Sequence, residues 1–134
     1  MIYGIGIDII EINRIKESIN KFGDIFLNKI FTKEEIYYCK NKKNPYQHFA
    51  GRFAAKEAVF KALGGITNPD LNWKNIEILN DFSGKPKLVF STDLIKFLLK
   101  KNILLYHLSI SHSVKHAVAQ VILETGEKNK RKKS

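Results

Sequence analysis

The sequence predicts an α+β domain, an antiparallel sheet packed with helices, with a single domain per chain. Three observations point there: a strand-like opening with period two, a helical middle, and two short pairs of alternating runs, each closed by a tight turn. At 134 residues the chain suits one small core, and its 44% hydrophobic content is that of a globular protein.

In order along the chain, Ile2 to Ile10 alternates, with Ile5, Ile7 and Ile9 on one face and Gly4, Gly6 and Asp8 on the other. Glu11 to about Phe22 repeats helically. Ile12, Ile15, Ile19 and Phe22 share one side, Arg14, Glu17, Ser18 and Lys21 the other, and Gly23 ends the helix. Thr32-Lys33-Glu34-Glu35 reads as a capping box that starts a helix to about Lys40. After a loop from Asn41 to Pro45, the longest helix runs from Gln47 to Leu63, rich in alanine and stopped by Gly64 and Gly65. Asn75 to Asn80 and Lys87 to Phe90 form a hairpin around the turn from Asp81 to Pro86. Ser91 or Thr92 caps a helix through Lys101. Ile103 to Ser111 and Ala117 to Leu123 are the last strands, joined by the turn from His112 to His116.

Composition narrows the function. The single cysteine, Cys39, excludes an intrachain disulfide and a cysteine metal cluster, and suits a reducing, cytoplasmic setting. The opening apolar run is too short to cross a membrane and carries Asp8. Net charge is +10, of which residues 127–134 supply +4 and have nothing apolar to bury. That tail reads as a solvated, mobile extension beyond a domain of residues 1–126. The remaining +6 favours an acidic partner or a phosphorylated ligand. Specific nucleic-acid binding is not expected, because the cations form no arginine-rich face with exposed aromatics.

Asp8 inside an apolar strand needs a reason, since an unpaired buried carboxylate is costly. Gly4 and Gly6 beside it leave room, which a cation and its ligands could use; an aspartate capping the next helix is the plainer alternative. On the long helix, Glu57 and Lys61 lie one turn apart, with Ala50, Ala54 and Ala58 on their side keeping the surface low for a bulky anion. Lys56 falls instead among Phe49, Phe53, Phe60 and Leu63, where it either snorkels out or meets an anion. Arg52 points away from Lys61 on an ideal helix, so one site uses both only if the helix starts late or a second subunit contributes. Ser109-Ile110-Ser111-His112-Ser113 gathers hydroxyls and an imidazole at a strand end, without the Gly-x-Ser-x-Gly elbow of a hydrolase.

These segments resemble the holo-acyl-carrier-protein synthase family of 4′-phosphopantetheinyl transferases. The resemblance rests on Gly4-Ile5-Gly6-Ile7-Asp8 and its continuation to Ile15, on Phe31 to Glu35, and on Ala50-Gly51-Arg52-Phe53-Ala54-Ala55-Lys56-Glu57 through Gly64. Gly84-Lys85-Pro86 and Ser109 to Ser113, leading into Ala117-Val118-Ala119, complete it, so that it spans residues 1–123.

The resemblance implies transfer of 4′-phosphopantetheine from coenzyme A to a serine of apo-acyl carrier protein. It makes Asp8 and Glu57 the ligands of Mg²⁺, with Mn²⁺ as an alternative, and Lys61 the lysine that meets the phosphates. Lys56 would help Lys61, while Arg52 and His112 would contact the coenzyme from an adjacent protomer of a homotrimer. The general base stays open between Glu57 and a metal-bound water. Arg14 matches the family's carrier-docking arginine on the first helix, with Lys21 on the same exposed side and Glu17 and Ser18 diluting the charge. Glu35 also matches a family acid, though its capping box is enough to explain it.

Overall fold

The computed structural model describes residues 1–65 and 71–127. Its elements run β1 (Ile2–Glu11), α1 (Ile12–Phe22), α2 (Asp24–Ile30), α3 (Lys33–Lys40), α4 (Pro45–Ala62), β2 (Ile76–Asn80), β3 (Pro86–Phe90), α5 (Thr92–Lys100), β4 (Ile103–His112) and β5 (His116–Thr125). A single 3-10 turn, Trp73–Asn75, precedes β2. Both sheets are antiparallel: three strands in the order β1-β5-β4, and the β2-β3 hairpin. This is the α+β arrangement the periodicities predict. The proposed mobile tail lies outside the described residues from 128 onward.

Helix α4 is the axis of the molecule. Pro45 opens it, a position where the missing N–H costs nothing, so it begins two residues before the expected Gln47. Phe49, Ala50, Ala54, Ala55, Ala58, Val59 and Phe60 are all buried along it. A helix buried on most of its sides belongs inside a fold, and α4 lies against β1 and β5; Ala117, Ala119, Val121 and Leu123 of β5 are buried with it.

That packing corrects two expectations. A side chain at Gly4 would put its Cβ 1.9 Å from the Ala62 carbonyl oxygen, and one at Gly6 would meet the Ala58 oxygen at 1.8 Å. The glycines therefore admit the backbone of α4, not a cation and its ligands. Ala50, Ala54 and Ala58 likewise are fully buried and close the helix onto the core. They leave no low surface for an anion. The consequence for the site is indirect: α4 comes near enough to β1 for Lys61 to reach Asp8.

The alternation of β1 is inverted relative to a simple core strand. Ile5, Ile7 and Ile9 are 54, 58 and 65% exposed, and they pair with Ile122, Gln120 and Val118 on β5. The outer face of the sheet is thus largely apolar and open. The sequence reading also missed α2. Seven residues with Leu27 and Ile30 as its buried positions are too few to show a helical period, and Gly23, at φ +55°, separates it from α1. The capping box of α3 forms as expected, with Glu35 N–H donating to Thr32 Oγ1 at 3.3 Å and Thr32 N–H to Glu35 Oε1 at 2.9 Å. Cys39 is buried, and burial pushes its thiol up to about 12, which makes it inert at neutral pH.

Candidate active site

Asp8 lies in the second half of β1 on the face that meets α4, and Glu57 and Lys61 project from the last turns of that helix. Lys61 Nζ donates to Asp8 Oδ1 at 2.8 Å and to the Ile7 carbonyl at 3.1 Å. Glu57 is half-buried, and its pKa is raised first by that burial and then by the Asp8 carboxylate. The Trp73 indole and Lys61 oppose the shift. Two carboxylates and an ammonium are therefore gathered where β1 passes α4, with one carboxylate held close to the other at an electrostatic cost.

A cleft of about 730 Å³ opens from this cluster. Asp8 and Glu57 line it together with Arg14, Lys21 and Phe22 of α1, and with Phe53 and His116. Arg14 and Lys21 are exposed, so α1 presents two cations along the approach to the acids, with the exposed Glu11 and Glu17 between and beside them. On the other side of Glu57 a shallower depression is lined by Phe60, Lys61, Gly64 and Gly65. Glu57 borders both.

Lys56 is not part of this cluster, and its expected coenzyme contact is corrected by its surroundings. Its side chain is wholly buried, and Nζ donates to Glu35 Oε1 at 2.6 Å, to the Ile30 carbonyl at 2.8 Å and to the Trp73 carbonyl at 3.2 Å. An ammonium has three donors, and all three are used inside the protein. It neither snorkels out nor faces a ligand. Glu35 does more than cap: its Oε2 also accepts from Ile78 N–H at 2.8 Å, so the pair ties α3, α4 and β2 together.

Arg52 and His112 are placed elsewhere too. Arg52 is 4% exposed; it donates to Asn80 Oδ1 and lies over the Tyr38 ring, 4.1 Å from its centre. Its Nε has no hydrogen-bond partner among the described residues. Arg52 lines a separate pocket with Tyr38, Lys42 and Asn80. His112, exposed at the end of β4, belongs to the same neighbourhood. The pKa of His48 is lowered by burial and then by the charges of Arg52, Lys42 and His112. The chain thus has an acidic cluster with one lysine at Asp8 and a cationic corner around His48.

Sequence reasoning missed Trp73, Phe53, His116 and Asn80. Trp73 comes from a short turn after a long helix, and no spacing in the sequence connects it to Glu57.

Residues 4–121 match the model of the 4′-phosphopantetheinyl transferase superfamily, and the chain belongs to that family. Within it, the chain is 50% identical over 119 residues to a holo-[acyl-carrier-protein] synthase of Protochlamydia amoebophila, covering 89% of this chain and 95% of the relative. Its fold is similar to the crystal structure of holo-[acyl-carrier-protein] synthase from Neisseria meningitidis, at TM-score 0.86 and 38% identity, covering 93% of this chain and 100% of the other. It is also similar to the Bacillus anthracis synthase in complex with CoA (3′,5′-ADP), at TM-score 0.77 and 44% identity over 94% of this chain and 99% of that one.

Proposed function

We propose that this chain is a holo-acyl-carrier-protein synthase that moves 4′-phosphopantetheine from coenzyme A onto a serine of apo-acyl carrier protein. The observation that carries the reading is the meeting of Asp8 with Lys61, and of Asp8 with Glu57 in a cleft whose other wall, α1, presents Arg14 and Lys21 beside Glu17. In the reaction the serine oxygen bonds to the phosphorus that bears the pantetheine arm. The bond from that phosphorus to the bridging oxygen breaks, and adenosine 3′,5′-bisphosphate leaves with the electron pair.

The donor set fits Mg²⁺. Asp8 and Glu57 line the same cleft and supply two hard oxygen donors. Mg²⁺ is commonly held by one or two carboxylates with substrate phosphates completing the shell. Mn²⁺ accepts the same ligands. When bound, the ion neutralises pyrophosphate charge and stabilises the departing oxygen. Lys61, already beside Asp8 and 55% exposed, adds a positive charge for the same phosphates. Glu57, made more basic by burial and by Asp8, is one candidate to take the serine proton, a water in the site being the other. Arg14 and Lys21 steer the acidic carrier along α1 toward that serine's destination.

The family resemblance implies a homotrimer, and the apolar outer face of Ile5, Ile7 and Ile9 supports association, because a monomer seldom leaves such a strip to water. In that assembly Arg52 and His112 would serve the coenzyme of a neighbouring protomer. Residues 1–126 form the transferase domain, and the chain works in the cytoplasm.

Incubation with apo-carrier protein and a fluorescent coenzyme A analogue tests the reaction. Label should appear with Mg²⁺ and vanish with a chelator; no label in Mg²⁺ refutes the enzyme. Deleting 127–134 should leave labelling unchanged. Light scattering should give the mass of three chains, and Ile7→Asp should give smaller species. A monomeric native chain contradicts the trimer.

A further inference from the structure

Arg52 is a buried cation that makes no ion pair among the described residues. Lys42 lines the same pocket of about 370 Å³, and so does Glu34, which forms no salt bridge with either cation. Two neutral groups hold the guanidinium instead. One is Asn80 Oδ1, whose amide is fixed in turn because its Nδ2 donates to the Gly84 carbonyl at 2.9 Å. The other is the ring of Tyr38, whose centre lies 4.1 Å from the guanidinium carbon. Tyr38 packs on the core that contains Phe31 and Phe49, and the His48 ring meets it edge to face with centres 5.9 Å apart. The platform under Arg52 is therefore held by its own packing.

An isolated buried charge is costly, and a carboxylate is its usual partner. A carboxylate would also occupy the guanidinium fork and close it to other anions. An aromatic face attracts the cation through its quadrupole and takes none of its N–H groups. Arg52 keeps donors in reserve in this way: Nη2 is given to Asn80, while Nε is buried and unpaired among the described residues. We propose that Tyr38 is a positioning residue: its ring carries Arg52 so that the guanidinium stays without a counter-charge and is set for a phosphate of coenzyme A. The inference rests on the reading of Arg52 as a coenzyme contact. It adds to that reading a residue of α3 that touches Arg52 and acts through it.

Loss of a desolvated cation–π contact corresponds to a change of about 5- to 30-fold in an equilibrium constant. Calorimetric titration with coenzyme A in Mg²⁺ should therefore show Tyr38→Leu binding about tenfold more weakly than the native chain. The transfer rate at saturating coenzyme A should stay near native, the pattern of an interaction made equally before and during the reaction. Tyr38→Phe keeps the ring and should leave affinity near native. A purely structural role would instead lower the unfolding midpoint and leave coenzyme affinity alone. In an Arg52→Gln background Tyr38→Leu should weaken binding no further, because the ring acts through the guanidinium.

A second variant keeps the shape of the ring. 4-Cyanophenylalanine at position 38 withdraws electron density from the aromatic face, so it should weaken coenzyme binding as Tyr38→Leu does while the unfolding midpoint stays native. That variant decides the matter if Tyr38→Leu fails to fold. Native affinity in either ring variant overturns the proposal. So does an equal loss in Tyr38→Phe, or a further loss when Tyr38→Leu is added to Arg52→Gln. Native affinity in Arg52→Gln refutes the coenzyme contact of Arg52 itself; weakened binding there, with native affinity in the ring variants, refutes only the part given to Tyr38. Failure of the native chain to label a carrier overturns the enzyme reading, while the titrations still judge Tyr38.

Discussion

Lys56 and Glu57 are neighbours on one helix and live in opposite environments. Lys56 turns inward, where Glu35 meets it at 2.6 Å with both side chains closed to water. Glu57 turns to the rim, where it shares a cleft with Asp8 and α1, and Asp8 is bridged by the 55%-exposed Lys61. Both regions are built from a lysine and carboxylates. In the buried pair every donor of the ammonium is matched inside the protein, so the charges are spent on structure. At the rim two like charges are brought close and left partly unsatisfied, an arrangement that stability alone does not favour and that a cation with phosphates would complete. The lesson is that satisfaction, not residue type, separates scaffold from site.

The comparison is broken most severely by removing Glu35. Glu35→Ala strands the Lys56 ammonium and leaves Ile78 N–H without its acceptor, so unfolding in urea should show a loss of about 3–5 kcal/mol. The double change Glu35→Leu with Lys56→Met should recover part of that loss, because no charge is then left buried. A native-like unfolding curve for Glu35→Ala would mean the pair is not the scaffold described.

The next effect is on activity. Asp8→Ala and Glu57→Ala should each slow transfer by at least ~100-fold, the scale of losing one preorganised electrostatic contribution to a transition state. Both variants should remain folded. Lys61→Ala should also slow transfer, but its half-exposed bridge to Asp8 contributes less than about 1 kcal/mol to stability, so its unfolding curve should hardly move.

The smallest effect sharpens the contrast through pH. The folded state raises the Glu57 pKa, so the protonated carboxyl is the form the fold favours. That favour is complete below the ordinary glutamate range and is lost as pH rises through the raised value. Metal-free Glu57→Gln should therefore be slightly more stable than the native chain at neutral pH, by under about 1 kcal/mol after solvent screening. The gap should close as pH falls. A glutamine variant less stable than native at pH 7 would show that Glu57 is not under strain.

Much of this was legible in the sequence, for definite physical reasons. Asp8, Glu57 and Lys61 were readable together through the family signature carried by the Asp8 strand and the Gly51 to Gly64 segment; the helix period by itself put only Glu57 and Lys61 on one face. The same periodicity placed Lys56 among aromatic residues, which is where it lies. What it could not supply was the partner: Glu35, Ile30 and Trp73 reach Lys56 from other elements, and no local pattern encodes that meeting. Gly4 and Gly6 misled because a missing side chain looks the same whether it makes room for an ion or for a helix. Trp73 was invisible because its role depends on where a turn is anchored.

One measurement bears most directly on the division of work within α4. Apo-acyl carrier protein would be incubated with coenzyme A and Mg²⁺ and weighed by mass spectrometry, using the native chain and Glu57→Ala at matched folded concentration. The native chain should add a single phosphopantetheine group to the carrier, and the folded variant should add almost none in the same time. Equal modification by both would contradict the assignment of Glu57 to the chemistry.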